Sequence, residues 1–257
     1  MKKTLREIRG EFEAAPEGAW EELIREYAGD ERSGVQKLRD GLRKKQQALA
    51  EERQRVEALC AYEKTYADAE YICGIDEVGR GPLAGPVVAG AVILPREARI
   101  LYINDSKQLS EKRREELYQE ILSQAVAVGI GSAGPARSDE INILNATYEA
   151  MREAVAKLKI VPSLLLVDAV RIPGIDIPQV SIIKGDAKSQ SIAAASIVAK
   201  VTRDRLMREY DRVLPEYGFA SNKGYGSAEH IKALKKFGPS PIHRASFITH
   251  FFEEKET

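Results

Sequence analysis

The sequence predicts an α/β protein, a mixed sheet flanked by helices, with a helical extension before it and a helical region after it. Three observations lead there. Residues 1–68 are rich in Glu, Arg, Lys and Gln and poor in β-branched residues; from Tyr71 short β-rich runs stand between glycines and prolines; beyond residue 139 helical and strand-like stretches take turns. Strands first and alternation afterwards is the order that builds a mixed sheet. The 257 residues leave room for one compact domain and a smaller appendage, because single domains run to roughly 250 residues. The change of composition divides the chain into 1–68 and 69–257.

In the extension, Pro16 and the pair Gly29-Asp30 punctuate short helices. From Val35 the apolar positions Val35, Leu38, Leu42, Leu49, Val56 and Leu59 follow a heptad-like spacing that Lys45 and Glu52 interrupt. One long helix with a weak apolar seam is expected. Its basic edge, Arg39 to Lys45 and Arg53 to Arg55, suits phosphate contacts. The near balance of residues 1–70, 14 basic against 16 acidic, leaves a protein-binding helix equally open.

Tyr71 to Ile75 reads as a buried strand, Pro86 to Leu94 as a second and Ala125 to Gly131 as a third, with connections that permit an antiparallel meander. Ser110 is the N-cap candidate of a helix over EKRREELYQEIL. Asp139 to Leu158 reads as one helix, Ser163 to Val167 as a strand ending at Asp168, and Val180 to Ile183 as a short strand. Ser189 to Tyr210 reads as a helix, small and apolar first and basic later.

Composition narrows the function classes. Shares of 44% hydrophobic and 30% charged residues are those of a globular chain. No apolar run approaches the roughly 18 residues of a membrane span, and the opening MKKTLREIRGEFE has charges with no apolar stretch behind them. A cytoplasmic protein with no membrane attachment is expected. Cys60 and Cys73 stand in no zinc spacing and read as idle thiols. Net charge is zero, yet Lys184 to Arg244 holds 12 basic against 6 acidic residues. A phosphate backbone can use that asymmetry, although taken alone it reads first as a solvated helical face.

Acidic residues stand where three apolar runs end: Asp76 and Glu77 after YICGI, Asp168 after SLLLV, and Asp186 after SIIKG. Any one of them reads as an ordinary turn residue or cap. Neighbouring strands lie about 4.8 Å apart, so carboxylates at the same ends of adjacent strands converge and require a cation or a shared proton. An all-oxygen set suits Mg²⁺ or Mn²⁺, and His230, His243 and His250 stand in no metal-binding spacing. Two such ions would serve the in-line displacement of a phosphodiester. The adjoining GRGPLAGP places glycines where a backbone must come close to something, with Arg80 between Gly79 and Gly81.

GIDEVGRGPLAGP, Gly74 to Pro86, is very similar to the signature of bacterial ribonuclease HII, a type 2 ribonuclease H. The resemblance continues through DSKQLSEKRREELY, LLLVDA, IIKGDAKSQSIAAASIVAKVTRDRLM, YGFASNKGYGSAEH and FGPSPIHRASF, covering about residues 71–248. It implies a ribonuclease H-like mixed sheet with a helical C-terminal region, and Asp76, Glu77, Asp168 and Asp186 as ligands of two Mg²⁺ or Mn²⁺ ions. It also implies an endonuclease that hydrolyses the RNA strand of RNA/DNA hybrids, with a place in DNA replication and DNA repair. Such an enzyme cuts 5′ of ribonucleotides embedded in DNA, leaving 3′-OH and 5′-phosphate ends. Gly79, Arg80 and Gly81 would read the 2′-hydroxyl, the group that separates RNA from DNA, and Tyr225 would pack on the following deoxyribose. A monomer is expected, and no protein partner is implied.

Lys107, Lys184, Lys188, Ser189, Ser191, Arg203 and Lys223 are candidate phosphate contacts, which position a duplex without reading it. Two departures stand in the matched stretches: Gln108 where Lys is common, and Ala169-Val170 where Gly-Asn is frequent. Ribonuclease HIII shares the fold but lacks GRG and ends its acid set with Glu, so Arg80 and Asp186 point away from it. A hybrid-binding protein without catalysis would have lost an acid, and all four are present.

Overall fold

The computed structural model describes residues 3–252. Contacts divide the chain between Glu57 and Ala58 into two compact units.

The first unit holds α1 (Leu5–Ala14), α2 (Trp20–Glu26) and most of α3 (Ser33–Leu59). Glu7 N donates to Thr4 Oγ1 at 3.3 Å and Thr4 N donates to the Glu7 carboxylate at 2.7 Å, a reciprocal cap that satisfies donors of the first turn. Ile8, Phe12, Trp20, Ile24, Tyr27, Val35 and Leu42 form one core, with Leu38 and Leu49 packed against it. The seam predicted from Val35 joins this core as far as Leu49, while Val56 and Leu59 do not, and Lys45 does not break it. Its ammonium lies 4.6 Å from the centre of the Trp20 ring, so the stem covers apolar surface while the charge meets the indole face. Much of the predicted basic edge is committed within the unit. Arg39 donates to Ala28 O at 3.2 Å, Arg53 pairs with Glu17 at 2.5 Å and Arg55 with Glu52 at 2.8 Å.

The second unit begins before the compositional boundary at 68. The short helix α4 (Ala61–Thr65) belongs to it, because Tyr62, Tyr66 and Ala69 pack with Leu164, Leu166, Ile182 and Ile192. Its sheet consists of β1 (Ile72–Val78), β2 (Val87–Ile93), β3 (Ala127–Ala133), β4 (Leu164–Asp168) and β5 (Gln179–Ile182), in the spatial order β3-β2-β1-β4-β5. β1, β2 and β3 form the predicted antiparallel meander, and β4 and β5 add in parallel beyond β1. The helices are α5 (Glu111–Gln124), α6 (Pro135–Ile141), α7 (Ile143–Ala156), α8 (Gln190–Val213), α9 (Phe219–Asn222), α10 (Ala228–Phe237) and α11 (Ala245–Ile248).

Alternation along β1 decides which helix each residue meets. Cys73 and Ile75 join the core made with Ala146, Ala150, Met151 and Ala154 of α7. Gly74 faces α8 instead, where a β-carbon would lie 2.0 Å from the carbonyl carbon of Ser191. At Gly90 of β2 a β-carbon would lie 2.5 Å from Ala195 O. These two contacts explain why α8 opens with SIAAAS: only small residues let its backbone touch the sheet. Beyond them Ala194, Ile197, Val198 and Val201 of α8 pack with Leu117 and Ile121 of α5.

Three expectations are corrected. The single helix read over Asp139 to Leu158 is two helices, broken at Asn142, which adopts φ 66° and turns its side chain to accept from Leu144 N and Asn145 N, both at 3.0 Å. β3 starts at Ala127 rather than Ala125, since Ala125 N closes α5 on Ile121 O. β1 does not stop at Ile75 but carries Asp76 and Glu77 inside the strand. No helix among the described residues is long and apolar enough to cross a membrane.

Candidate active site

The parallel pairing of β1 and β4 runs from Ile72 opposite Leu164 to Ile75 opposite Val167. One position further come Asp76 and Asp168, carboxylates at the same level of adjacent strands. Glu77 follows on β1. Asp186 lies in a tight turn, Gly185–Ala187, entered through Lys184 in the left-handed conformation (φ 57°). Asp168 fastens that turn, because its Oδ1 accepts from Gly185 N at 2.6 Å. Thus β1, β4 and the turn before α8 bring the four predicted acids into one neighbourhood.

Asp76 is 6% exposed. Burial holds its pKa well above the usual carboxylate range, the charges of Glu77 and Asp168 add to the rise, and a hydrogen bond from Ser196 works against it. Burial also raises Glu77, against the pull of Arg80, whose Nη1 donates to Oε1 at 3.2 Å. Asp186 is raised by burial, then by Asp105 and Asp168. Lys107 is the cation among these acids: partial burial opposes its charge, but Asp105, Asp76, Asp186 and Asp168 together lift its pKa.

Among the described residues no three carboxylate, imidazole or thiolate groups converge tightly enough to hold an ion as they stand. The reason is local. Asp76 Oδ1 accepts from Glu77 N at 2.7 Å, Asp168 is turned to Gly185, and Glu77 to Arg80. The donor chemistry nonetheless fits a hard divalent cation, since the groups are all carboxylates and share an unfavourable like charge that such an ion would neutralise.

The GRG loop is built from its carbonyls inward. Arg244, fully buried, donates to Gly79 O at 2.5 Å, Arg80 O at 2.8 Å, Pro82 O at 3.0 Å and Gly85 O at 2.8 Å. Arg203, also fully buried, donates to Pro86 O at 2.9 Å, Ala84 O at 3.0 Å and Lys223 O at 2.8 Å. Burial, then the charge of Arg203, lowers Arg244 to about 10. Gly79 has φ 94°, and a β-carbon there would meet Arg203 Nε at 2.3 Å, whereas Gly81 faces open space. The carbonyls of Gly79, Arg80, Pro82, Ala84, Gly85 and Pro86 are thus spent on the interior. Tyr225 is joined to the same loop, as Leu83 N donates to Gly224 O at 2.9 Å, and its ring is exposed.

Three of the candidate phosphate contacts are corrected. Arg203 is consumed by the loop carbonyls. Ser189 is fully buried, capping α8 by accepting from Ile192 N and donating to Glu63 Oε1 at 2.6 Å. Ser191 is buried too, and its N–H donates to the same Glu63 oxygen at 2.9 Å. Lys107, Lys184 and Lys188 are exposed and Lys223 is half-buried. Sequence reasoning missed Asp105, Ser196, Arg244 and Glu63. Of these only Asp105, in DSK, carried a signal, an acid beside the lysine that was singled out.

A Ribonuclease HII family model matches residues 73–250 and a Ribonuclease HII N-terminal domain model matches residues 4–67. A Ribonuclease HII of Lachnoclostridium phytofermentans is 66% identical over 248 residues, 96% of this chain and 98% of that one. Among solved structures, the ribonuclease H2 from Pyrococcus horikoshii OT3 superposes with a TM-score of 0.60 at 27% identity, over 72% of this chain and 100% of that chain. The ribonuclease HII of Archaeoglobus fulgidus, solved in a complex with PCNA, gives 0.59 at 29% identity, over 68% and 93%.

Proposed function

Since the chain belongs to the ribonuclease HII family, we propose that it hydrolyses the RNA strand of RNA/DNA hybrids and cuts 5′ of ribonucleotides embedded in DNA. The observation that carries this reading is the placement of Asp76 and Asp168 one position past the last paired residues of β1 and β4, with the turn that carries Asp186 fastened to Asp168 through Gly185 N and the GRG loop held by Arg244. Asp76, Glu77, Asp168 and Asp186 would hold two Mg²⁺ or Mn²⁺ ions. When bound, these supply a nucleophilic water at neutral pH and charge stabilisation of the leaving oxygen.

The chain's own residues account for selectivity. With the carbonyls of Gly79 and Arg80 held by Arg244, the loop from Gly79 to Gly81 would offer N–H groups, donors that a 2′-hydroxyl oxygen accepts. Tyr225 covers the next sugar, where a deoxyribose fits and a hydroxyl would crowd the ring. Lys107, Lys184, Lys188 and Lys223 line the approach of the phosphates and hold the duplex in register. Removal of stray ribonucleotides would place the enzyme in DNA repair and replication.

The test is cleavage of a DNA duplex carrying one ribonucleotide beside a continuous RNA/DNA hybrid, in Mg²⁺ and in Mn²⁺. A cut on the 5′ side of the ribonucleotide leaving 3′-OH and 5′-phosphate ends is expected. Cleavage that persists in a chelator, or ends in a 2′,3′-cyclic phosphate, would rule the mechanism out.

Tyr225→Ala is expected to weaken cutting at the single ribonucleotide by roughly tenfold while touching the continuous hybrid far less, since ring burial on a sugar is worth about 1.5 kcal/mol. Equal loss on both substrates would make Tyr225 structural. Deletion of residues 1–57, which keeps α4 and Glu63, is expected to raise KM and to flatten the salt dependence of log KM by about one unit of slope for each phosphate that the extension had neutralised. The expected slope change is small, because Arg39, Arg53 and Arg55 are already paired. A collapse of turnover in a folded truncation would show that the extension helps to assemble the site.

A further inference from the structure

We propose that His230 and His243 form a hydrogen-bond relay of fixed direction that positions Tyr225, and so act as specificity-determining residues outside the acid cluster. The proposal rests on the reading of Tyr225 given above.

The direction follows from the two ends. Ser240 N lies 2.9 Å from His243 Nδ1. A backbone N–H can only donate, so Nδ1 of His243 carries the lone pair, and Ser240 Oγ at 2.7 Å adds a second donor to it. At the other end His230 Nδ1 lies 2.8 Å from Tyr225 O. A carbonyl can only accept, so Nδ1 of His230 carries the hydrogen. Two neutral rings then have one arrangement left: His243 holds its proton on Nε2, and His230 has a bare Nε2. Those two atoms stand 3.0 Å apart, the separation of a hydrogen bond from the first ring to the second. A further proton on either ring would either set two N–H groups face to face or leave Ser240 N without an acceptor. Burial pushes both rings down, His243 to about 4 with the neighbouring imidazole adding to the fall, which keeps the pair neutral.

The relay reaches the site at a decisive place. Tyr225 N donates to Asn222 O and Tyr225 O accepts from Ser227 N, so two of its backbone bonds stay within its own turn. The bond from His230, passed on through His243, ties Tyr225 itself to the segment that holds the GRG loop, beside the direct bond from Leu83 N to the neighbouring Gly224 O. His243 pairs with Ala84 in an isolated bridge, and the next residue, Arg244, grips Gly79 and Gly85. Together with the bond to Gly224 O and the bond from Arg203 to Lys223 O, the relay thereby fixes where the Tyr225 ring stands relative to the groups offered to the ribose. Tyr217 and Phe219 wall both imidazoles, with ring centres 4.9 to 6.5 Å away.

The first test is the protonation state of each imidazole in the isotopically labelled full chain at neutral pH. Nε2–H on His243 and Nδ1–H on His230 are expected; the opposite tautomers, or a charged ring, overturn the relay. The second test is His230→Phe, which keeps an aromatic ring of similar size and removes both nitrogens. It is expected to lower the ratio of single-ribonucleotide to continuous-hybrid cleavage by the same roughly tenfold as Tyr225→Ala, with no further loss when the two are combined. His230→Asn, whose amide nitrogen falls near the place of the removed Nδ1, is expected to restore most of the ratio. An equal fall on both substrates, or an additive double variant, overturns the positioning role. If Tyr225→Ala itself leaves the ratio unchanged, the reading of Tyr225 falls and the specificity role with it, while the tautomers still decide the relay.

Discussion

Asp76→Asn is expected to lower cleavage by about 10² to 10⁴-fold at saturating Mg²⁺, since the proposed ligation by this group would support several kcal/mol of transition-state stabilisation and each 1.4 kcal/mol is tenfold. The amide keeps the shape of the side chain and its contact with Glu77 N but brings no charge to a cation. Stability without metal is expected to hold or rise. Asp76 keeps its proton to higher pH in the folded protein than in the unfolded chain, so unfolding releases that proton once pH passes the ordinary carboxylate value of about 4. This contribution is full below that value and is lost as pH rises toward the folded pKa. Asparagine has no such loss, so the variant's melting temperature in chelator should gain most at neutral pH. Near-normal cleavage by the variant would remove Asp76 from the metal site.

Arg244→Leu is expected to cost about 3 to 5 kcal/mol, because each buried carbonyl left without a donor costs about 1 to 3 kcal/mol and the loop relaxes only in part. At about 2 to 4 °C per kcal/mol for a chain of this size, the melting temperature should fall by roughly 10 °C. Arg244→Lys is expected to recover little, since an ammonium cannot present the guanidinium fork to carbonyls as far apart in the chain as Gly79 and Gly85. Well below the melting point, KM for the single-ribonucleotide duplex should rise more than kcat falls. An Arg244→Lys protein with native stability and native junction cleavage would show that the loop holds itself.

The fold was legible where side-chain pattern and backbone agree. YICGI and SLLLV read as buried strands because they are, and the meander followed from short connections. The acids were legible because each closes an apolar run, and their convergence followed from setting those runs side by side, but which strands are neighbours was not legible, since pairing of Ile75 with Val167 is written nowhere along one strand. Ser189, Ser191 and Arg203 show the opposite failure. A hydroxyl or a guanidinium announces what it can bond, not whether it points into solvent or into the fold, and a fully buried arginine looks like a surface one. Asn142 broke a helix through one residue's tolerance of positive φ. The two histidines are separated by twelve residues, and only the folding of α10 and the segment after it makes them partners.

Helix α8 has a consequence for how this chain can change. Its cap at Ser189 is continuous with the turn that carries Asp186, and Arg203, gripping the GRG loop, stands thirteen residues past Gln190, about 20 Å along the axis. The helix is thus a ruler between the turn that carries Asp186 and the grip of Arg203 on the GRG loop. Inserting or deleting one residue between those marks would swing everything beyond it by about 100° and slide it about 1.5 Å, turning Arg203 away from Pro86 and Ala84. Substitutions at Lys200 or Thr202, the two half-buried positions of this stretch, leave that spacing intact. Changes of length do not, so a stretch whose composition is already restricted by burial from Gln190 to Ala199 is locked in number as well.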